Sequence, residues 1–385
     1  MRVELQDISK VIMGQSPKGE SYNENGIGLP LLNGAADYKG NIFKPKKYTS
    51  DPTRVAQKGD ILLGIRATIG NFAFSDAEYC IGRGVAAIRV DEKKADKGYI
   101  LKCVERELSR IIHRASGSTI KGIKKEDLTE IKLNLPPLDQ QKKIAAILDA
   151  ADGYRQKTKA LIAKYDELTQ SLFLDMFGDP VTNPKGWDKR KLKDITTKIG
   201  SGATPKGGKD AYKSEGISLV RSLNVHDNHF KYKDLAFIDN DQASKLNNVT
   251  IEEWDVLFNI TGASVCRCCI VPSEIIPARV NQHVSILRPD KSIISSFFLM
   301  FCLISDNVKQ TLLGIGGQGG ATREAITKSD LEGFELINPP IELQNQFTHR
   351  VKAIEEQKAQ AQESLAKAEE LFNSLLQKAF KGELT

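Results

Sequence analysis

The sequence predicts an α+β protein with two homologous α/β domains. They are separated by two long helices that form an antiparallel coiled coil with internal pseudo-twofold symmetry. The chain has 385 residues, of which 40% are apolar and 27% are charged. This composition is typical of globular proteins, and the length suits two or three domains. An internal repeat covers both halves of the chain, and each half ends in a helical pattern of apolar residues.

The repeat is clearest around a Pro-Pro motif. LPPLDQQKKI at 135–144 matches NPPIELQNQF at 338–347, an offset of 203 residues that continues without a gap to Phe177 and Phe380. Upstream, the offset falls to 199, 195 and then 187, as expected if loop-sized insertions distinguish two copies of one scaffold. The upstream matches include Cys103 with Cys302, Asp60 with Asp255, and Ile8 with Ile195.

Each copy has the same predicted order of elements. Runs rich in β-branched and aromatic residues, such as 61–74 and 256–271, indicate strands. A helix follows, at Tyr99–His113 in the first copy and Ile293–Leu313 in the second. The Pro-Pro motif then opens a long helix, because proline fixes φ at a value that suits the first helical turn.

Both long helices have apolar or small residues at the alternating spacing of four and three that indicates a coiled-coil seam. One charged residue interrupts each seam, Arg155 in the first copy and Lys358 in the second, and Gly178 and Gly382 are predicted to end the helices. Since a seam needs a partner, we expect the two helices to pack together as an antiparallel rod. The predicted seam residues are Ile144, Leu148, Ala151, Thr158, Ile162, Tyr165, Thr169 and Leu172, with Phe347, Val351, Ile354, Ala361, Leu365, Ala368, Phe372 and Leu375.

These elements predict domains at 1–138 and 179–341, with helical regions at 139–178 and 342–385. The net charge of +6 lies in the first domain. Residues 1–138 hold 23 Lys and Arg against 17 Asp and Glu, whereas residues 178–341 hold 20 against 19. A basic domain suits contact with a phosphate backbone.

Three patterns that could indicate catalysis or cofactor binding are incomplete. Residues 314–319 fit GxGxxG but follow a predicted helix instead of a strand, and 202–209 lack the spacing of a P-loop. Residues 338–341 resemble the NPPY-type motif of amino-methyltransferases, yet Ile341 stands where an aromatic ring must stack on a flipped base. We therefore predict no catalytic site in this chain.

The cysteines and histidines do not form a convincing metal site. Cys266 and Cys269 have CxxC spacing, and His226 and His229 have HxxH spacing, but structural zinc needs four ligands. We interpret the cysteines as small buried side chains and predict no metal. The six cysteines show no paired framework, and the N-terminal residues lack the apolar core of a signal peptide. We expect a cytoplasmic protein.

Taken together, these motifs resemble the specificity (S) subunit of type I restriction–modification systems, the HsdS family. The resemblance rests on both copies of Pro-Pro-(Leu/Ile)-x-x-Gln, on the helix endings SLFLDMFGD and SLLQKAFKGEL, and on the Gly-Asp or Trp-Asp that begins a strand in each domain. It covers nearly the whole chain. It implies two target recognition domains, each recognising one half of a bipartite asymmetric DNA site, and two conserved helical regions that set the spacing.

The same resemblance implies a non-catalytic subunit with several partners. It would dock two methyltransferase (M) subunits and recruit restriction (R) subunits on double-stranded DNA. This chain would hold no cofactor, since S-adenosylmethionine and ATP with Mg²⁺ would belong to the partner subunits. We expect M subunits to dock at the repeat motif: Pro136, Pro137, Gln141, Pro339, Pro340 and Gln344.

Two copies alike in scaffold but different in loops suit a protein that recognises two half-sites, because base contacts specify a sequence while phosphate contacts position the protein. Arg, Lys, Asn and Gln match base-edge donors and acceptors. The predicted DNA-binding residues are Lys39, Lys44, Lys46, Lys47 and Arg66 in the first domain, and Lys206, Lys209, Arg221, Asn224 and Arg267 in the second.

The alternative function is a DNA adenine methyltransferase or a fused modification–restriction enzyme. Such an enzyme would need a cofactor-binding sheet with its own Gly-rich turn and an aromatic residue after Pro-Pro. A coiled-coil scaffold without DNA would leave two dissimilar domains on one rod unexplained.

Overall fold

A computed structural model describes residues 1–34, 36–66, 69–114, 122–205, 207–317 and 325–384. The chain divides into two units. Unit 1 consists of Met1–Lys159 with Glu363–Thr385, and unit 2 consists of Ala160–Gln362. Each unit therefore holds one domain together with one segment of each long helix.

The elements before the first long helix belong to unit 1. In chain order they are β1 (Arg2–Glu4), α1 (Leu5–Ile8), β2 (Ser9–Met13), β3 (Tyr22–Asn23), β4 (Leu29–Leu32), β5 (Tyr38–Lys39), β6 (Ile42–Phe43), β7 (Lys47–Thr49), β8 (Val55–Ala56), β9 (Ile61–Gly64), β10 (Phe72–Phe74), β11 (Tyr79–Ile81), β12 (Val85–Val90), α2 (Lys97–Arg114), α3 (Lys125–Thr129) and β13 (Lys132–Asn134).

The first long helix is α4 (Leu138–Phe177). The elements after it are β14 (Lys189–Lys191), α5 (Leu192–Ile195), β15 (Thr196–Ser201), β16 (Ile217–Val220), β17 (Val225–His226), β18 (His229–Phe230), β19 (Ala236–Ile238), α6 (Asn240–Ser244), β20 (Val256–Asn259), β21 (Cys268–Ile270), β22 (Ala278–Val280), β23 (Val284–Pro289), α7 (Ser296–Ile304), α8 (Asp306–Gly317), α9 (Lys328–Gly333), β24 (Glu335–Ile337) and the second long helix α10 (Ile341–Lys381).

The two units repeat one sheet topology. A four-stranded antiparallel sheet has the order β10-β9-β12-β2 in unit 1 and β21-β20-β23-β15 in unit 2. A second sheet contains one parallel pair in each unit, β4 with β11 and β16 with β22. A two-stranded ribbon, β1 with β13 or β14 with β24, lies close to the long helices in sequence. The predicted internal repeat and the α+β class are confirmed.

Both faces of each four-stranded sheet are buried, which explains the continuous apolar runs in β9 and β20. Successive side chains of a strand point to opposite faces. Ile61 and Leu63 therefore pack in the core that includes α2, while Leu62 packs against the second sheet. In unit 2, Phe258 packs in the core that includes α7, and Leu257 packs against the second sheet.

The predicted single helix at Ile293–Leu313 is wrong, because the structure has two helices, α7 and α8, separated at Ser305. Ser305 has extended backbone angles, and its hydroxyl donates to the Cys302 carbonyl oxygen at 2.8 Å. A serine can satisfy backbone groups locally and so compete with the helical ladder. The counterpart of Ser305 at the 199-residue offset is Arg106, a good helix former, and α2 is continuous there.

No single helix in the described part of the chain is long and apolar enough to cross a membrane. Among the described residues, α7 and α8 reach that length and hydropathy only when taken together, and they are bent by 70° at their break.

The long helices end where the sequence predicts. α4 has 40 residues and α10 has 41. Gly178 and Gly382, which follow their last residues, have φ of 76° and 79°. Glycine favours this left-handed conformation, which terminates helices.

The two helices pack antiparallel within each unit. In unit 1, the Tyr154 hydroxyl lies 2.7 Å from the Ser364 hydroxyl, and Lys159 Nζ lies 3.0 Å from a Glu369 carboxylate oxygen. In unit 2, the ring of Phe173 lies 5.6 Å from that of Phe347. Every predicted seam residue is buried or half-buried, as packing between the two helices requires.

Candidate nucleic-acid interface

A buried aspartate and an arginine fix the main sheet of each unit. Asp60 accepts two hydrogen bonds from the Arg89 guanidinium, at 3.0 and 2.9 Å. Asp255 accepts two from Arg288, at 2.8 and 2.9 Å. The Asp60 and Asp255 side chains are 4% and 0% exposed. Bidentate geometry makes such a pair strong and directional. The repeated aspartate at the strand start therefore has a structural role.

The repeated glutamine fastens each long helix to its domain. In unit 1, Gln141 Oε1 accepts from the Asp96 backbone N–H at 2.9 Å, and Gln141 Nε2 donates to the Pro136 carbonyl at 2.8 Å. Asp96 in turn caps α2, because its side chain accepts from the Tyr99 N–H at 2.9 Å. Gln141 therefore joins the start of α4 to the start of α2.

Unit 2 repeats this arrangement with one more hydrogen bond. Gln344 Oε1 accepts from the Ser295 N–H at 2.9 Å, while Nε2 donates to the carbonyls of Pro339 at 2.8 Å and Ile293 at 3.2 Å. Ser295 caps α7 by accepting from the Phe298 N–H at 3.1 Å. Gln141 and Gln344, which are related by the repeat offset of 203 residues, therefore make equivalent contacts.

These contacts correct the expectation that the whole repeat motif docks an M subunit. Gln141 and Gln344 are 1% and 0% exposed, and their amide groups are used inside the protein. Pro136 is half-buried and Pro339 is buried. The exposed members of the motif are Pro137 and Pro340.

In unit 1, four of the five predicted DNA-binding residues follow one another around a short hairpin. Lys39, Lys44, Lys46 and Lys47 are exposed on or beside β5, β6 and β7. The hairpin is held to the β9–β10 loop, since the Tyr38 hydroxyl donates to the Asn71 carbonyl at 3.1 Å. That loop also contains the exposed Arg66. The loop that contains Arg66 is therefore attached to the hairpin beside which the four lysines lie.

The predicted residues of unit 2 are more dispersed. Lys206 lies outside the described residues, and Lys209 lies in a 3-10 turn, Gly208–Ala211. Arg267 is half-buried in the β20–β21 loop, with its guanidinium 3.5 Å from His226 Nδ1.

Asn224 has a structural role, which corrects its assignment as a base-reading residue, and Arg221 makes contacts within the protein. Asn224 is fully buried, and its amide nitrogen donates to the Lys231 carbonyl at 2.9 Å. Its amide oxygen accepts from the Arg221 N–H at 3.1 Å. The Arg221 guanidinium donates to the Asp234 carbonyl and lies 5.2 Å from the centre of the Tyr212 ring. Both side chains therefore support the loop around the β17–β18 hairpin.

The cysteines are buried, as predicted. All six cysteine side chains are buried. Burial raises the pKa of Cys269 to about 12 and holds that of Cys268 well above its ordinary value. Such thiols are poor nucleophiles and poor metal ligands. Across the described ranges, no group of three or more His, Cys, Asp and Glu side chains is placed to hold a metal ion.

Sequence reasoning missed one basic cluster in unit 1. Arg2, Arg106, Arg110 and Lys132 line one cavity although they lie on β1, α2 and β13, which are far apart in sequence. The pairing of β1 with β13 brings the first and last of these segments together. No local sequence window contains this cluster, so the repeat pattern could not show it.

Comparisons with known proteins agree with the repeated fold. A family model described as "Type I restriction modification DNA specificity domain" matches residues 1–165 and 184–370. The putative type I restriction enzyme MjaX specificity subunit of Methanocaldococcus jannaschii is 38% identical over 169 residues, which is 43% of this chain and 40% of that relative. The type I restriction enzyme EcoBI specificity subunit of Escherichia coli is 25% identical, and the match covers 100% of this chain and 86% of the relative.

A solved structure shows the same fold. The crystal structure of the type I restriction-modification system S subunit from M. genitalium matches with a TM-score of 0.63 and 14% sequence identity, covering 99% of this chain and 96% of that one. Because the family model matches most of both halves, this chain belongs to the family of type I restriction–modification DNA specificity subunits.

Proposed function

We propose that this chain is the sequence-recognising, non-catalytic subunit of a type I restriction–modification complex. Each of its two domains recognises one half of a bipartite, asymmetric site in double-stranded DNA. The observation that supports this most directly is the contrast within the repeat. The ion pair and the glutamine contacts are the same in both units, while the segments around them differ.

The differing segments are where a DNA-recognising role would be expected. The second sheet has five strands in unit 1, β3-β7-β4-β11-β8, and three in unit 2, β19-β16-β22. In unit 1 the exposed lysines at 39, 44, 46 and 47 lie on or beside β5, β6 and β7. Since sequence is recognised by base contacts, two different loop sets on one scaffold suit two different half-sites.

The partners follow from the same proposal. The paired helices α4 and α10 set the distance between half-sites and dock two M subunits, with the exposed Pro137 and Pro340 beside the docking surface. R subunits join this complex. S-adenosylmethionine and ATP with Mg²⁺ bind to those partners. Six buried cysteine side chains suit the reducing cytoplasm, where the complex would meet DNA.

A domain exchange tests the recognition role. Residues 1–138 are replaced by the matching part of a relative, and the hybrid is produced with its M subunit. Sequencing of methylated sites should show one half of the recognised sequence changed and the other half intact. A change in both halves, or in neither, would contradict separate recognition by two domains.

A binding measurement tests the non-catalytic role against the alternative of a DNA methyltransferase. Calorimetric titration of the full chain with S-adenosylmethionine should give no heat of binding, and the chain should be required when the M subunit methylates DNA. Stoichiometric binding of S-adenosylmethionine to this chain would favour the methyltransferase.

A further inference from the structure

Unit 1 contains a basic cavity outside the loops that are proposed to recognise bases. It measures about 280 Å³ and is lined by side chains of β1, α2, β13 and the end of α10. Four of the lining residues are cationic and one is acidic. The cations are Arg2, Arg106, Arg110 and Lys132, and the acid is Glu107.

The cations of this cavity are only partly neutralised. Arg110 lies 2.8 Å from a Glu107 carboxylate oxygen, and the Arg106 guanidinium stacks over Phe380, 4.4 Å from its ring centre. The side chains of Arg2 and Lys132 have no hydrogen bond or ion pair to any residue that the structure describes. The cavity therefore has an excess of positive charge and unused donors.

The scaffold does not require two of these four cations, as the second copy shows. At the repeat offsets, Arg106 corresponds to Ser305 and Lys132 corresponds to Glu335. The β1–β13 ribbon and the β14–β24 ribbon have the same register, with Glu4 opposite Lys132 and Lys191 opposite Glu335. Lys132 and Glu335 therefore occupy equivalent positions in the two ribbons.

A cavity beside the ribbon of unit 2 has a different charge. Its lining includes one cation, Lys189, and two carboxylates, Asp330 and Glu335. Lys309, the counterpart of Arg110, does not line it and is paired with Asp227. The cavity beside the ribbon is therefore strongly cationic in unit 1, and the cavity beside the ribbon of unit 2 is not.

We propose that the unit 1 cavity binds phosphate groups of the DNA backbone. This inference rests on the proposed function and adds a contact outside the loops that recognise bases. A guanidinium presents a planar set of donors that matches the oxygens of a phosphate, and an ammonium adds a point charge. Four cations exceed what a ligand with a single carboxylate would need. A DNA strand carries a negative charge about every 3.4 Å, so neighbouring phosphates can contact different cations of the cavity. The contact positions the domain on DNA and carries no sequence preference.

The test measures how DNA binding depends on salt. Binding of the full chain to a fluorescent duplex of about 30 base pairs of mixed sequence is followed between about 50 and 200 mM salt. Lys132→Glu introduces the residue type that unit 2 has at the equivalent position, Glu335. Arg2→Ala removes a second unpaired cation. Both side chains are exposed, so the fold should be retained, which circular dichroism checks. Each variant should lower the slope of log K against log salt by about one and weaken binding several-fold.

A matched control separates position from net charge. Lys164→Glu makes the same charge change at an exposed site on α4, outside the cavity, and should keep the wild-type slope. An unchanged slope for Lys132→Glu, or an equal loss in the control, would overturn the proposal. Poly-glutamate tests a different ligand. If it competes with DNA for the wild-type chain but not for Lys132→Glu, and that variant binds DNA as the wild type does, the cavity would be assigned to an acidic protein instead.

The two proposals fail in different ways. If the wild-type chain binds DNA and the domain exchange alters one half-site, an unchanged slope in the cavity variants overturns the cavity proposal alone. If the wild-type chain and its M complex bind no DNA, both proposals are overturned.

Discussion

The two units contain the same framework and differ around it. Each has a four-stranded sheet of the same order, a buried aspartate that accepts from an arginine at both oxygens, and a buried glutamine that joins the long helix to a shorter one. They differ in the size of the second sheet, in the break between α7 and α8, and in the charge beside the two-stranded ribbon. A contact present in both copies indicates a role in the scaffold, whereas a feature present in one copy can serve a ligand.

The largest expected effect is at the shared ion pairs. Asp255→Ala and Asp60→Ala each leave an arginine without its buried partner, which costs about 3–5 kcal/mol of folding free energy. Urea unfolding of the full chain, followed by circular dichroism, should show a lower midpoint for both variants. Glu253→Ala, at an exposed acidic residue two positions from Asp255, is the control and should keep the wild-type midpoint. Asp variants as stable as that control would show that the repeated aspartates are not structural.

The glutamine contacts should give the next largest effect and should differ between units. Gln344→Leu leaves three buried backbone groups without a partner and Gln141→Leu leaves two, at about 1–3 kcal/mol for each unsatisfied group. The variant in unit 2 should therefore be the less stable one.

Hydrogen exchange locates this effect. Protection should fall at the start of α7 in Gln344→Leu and at the start of α2 in Gln141→Leu, since those helix starts lose their connection to the long helices. Gln357→Leu, at an exposed glutamine of α10, should leave protection unchanged. Loss of protection at neither site, or equally at both sites in each variant, would contradict the separate roles.

These contacts show which parts of the molecule the sequence could predict. The repeat offsets identified the two glutamines and the two aspartates, and the apolar spacing identified the helix pair, because such features recur at fixed intervals along the chain. Their partners were not predictable. Gln141 bonds to Asp96, 45 residues earlier, and nothing local indicates such a pairing.

The errors have the same origin. Asn224 has the side chain of a base-reading residue, and only the closed loop around it shows that both ends of its amide are used. The break at Ser305 follows an apolar run at 293–304 whose composition suits one continuous helix. The basic cavity forms only when β1, α2, β13 and the end of α10 fold together. Periodic features are visible in a sequence, whereas contacts between distant segments depend on the fold.

A smaller effect is expected where a charged residue interrupts each seam. Arg155 stacks 4.3 Å from the Phe372 ring centre and lies 2.6 Å from an Asp152 oxygen. Lys358, its counterpart, pairs with Asp166, whose side chain is 55% exposed. Arg155→Ala should cost about 1–2 kcal/mol, because a partly desolvated cation–π contact is lost. Lys358→Ala should cost about 0.5 kcal/mol, because the carboxylate partner of Lys358 is exposed to solvent.

Salt distinguishes these two contacts. In about 1 M NaCl the cost of Lys358→Ala should largely disappear because its ion pair is screened. The cost of Arg155→Ala should persist because ring stacking is less sensitive to salt. Thermal unfolding of both variants at low and high salt gives the comparison, and equal salt dependence of the two would contradict it.

The sharpest comparison concerns one backbone position. Trp254 has φ of 75°, and its counterpart at the 195-residue offset is Gly59 with φ of 90°. A side chain in this left-handed conformation costs about 1–2 kcal/mol, which glycine avoids. At ordinary positions alanine is instead the more stabilising residue, by about 0.4–1 kcal/mol. The sign of an alanine–glycine difference therefore reports the backbone conformation at each site.

Both units should give the sign expected for the left-handed conformation. A Cβ atom at Gly59 would meet only Lys97 Nζ, at 3.6 Å, so Gly59→Ala should lose about 1 kcal/mol from φ alone. In unit 2, Trp254→Ala and Trp254→Gly both remove the ring, with its contact to Lys352 at 4.5 Å, but only the glycine variant also relieves the strain. Trp254→Gly should therefore be the more stable of the two by about 1 kcal/mol in chemical unfolding. If alanine were the more stabilising residue at 254 but not at 59, the two loops would not share a backbone conformation in solution, and the offset of 195 would not describe equivalent positions.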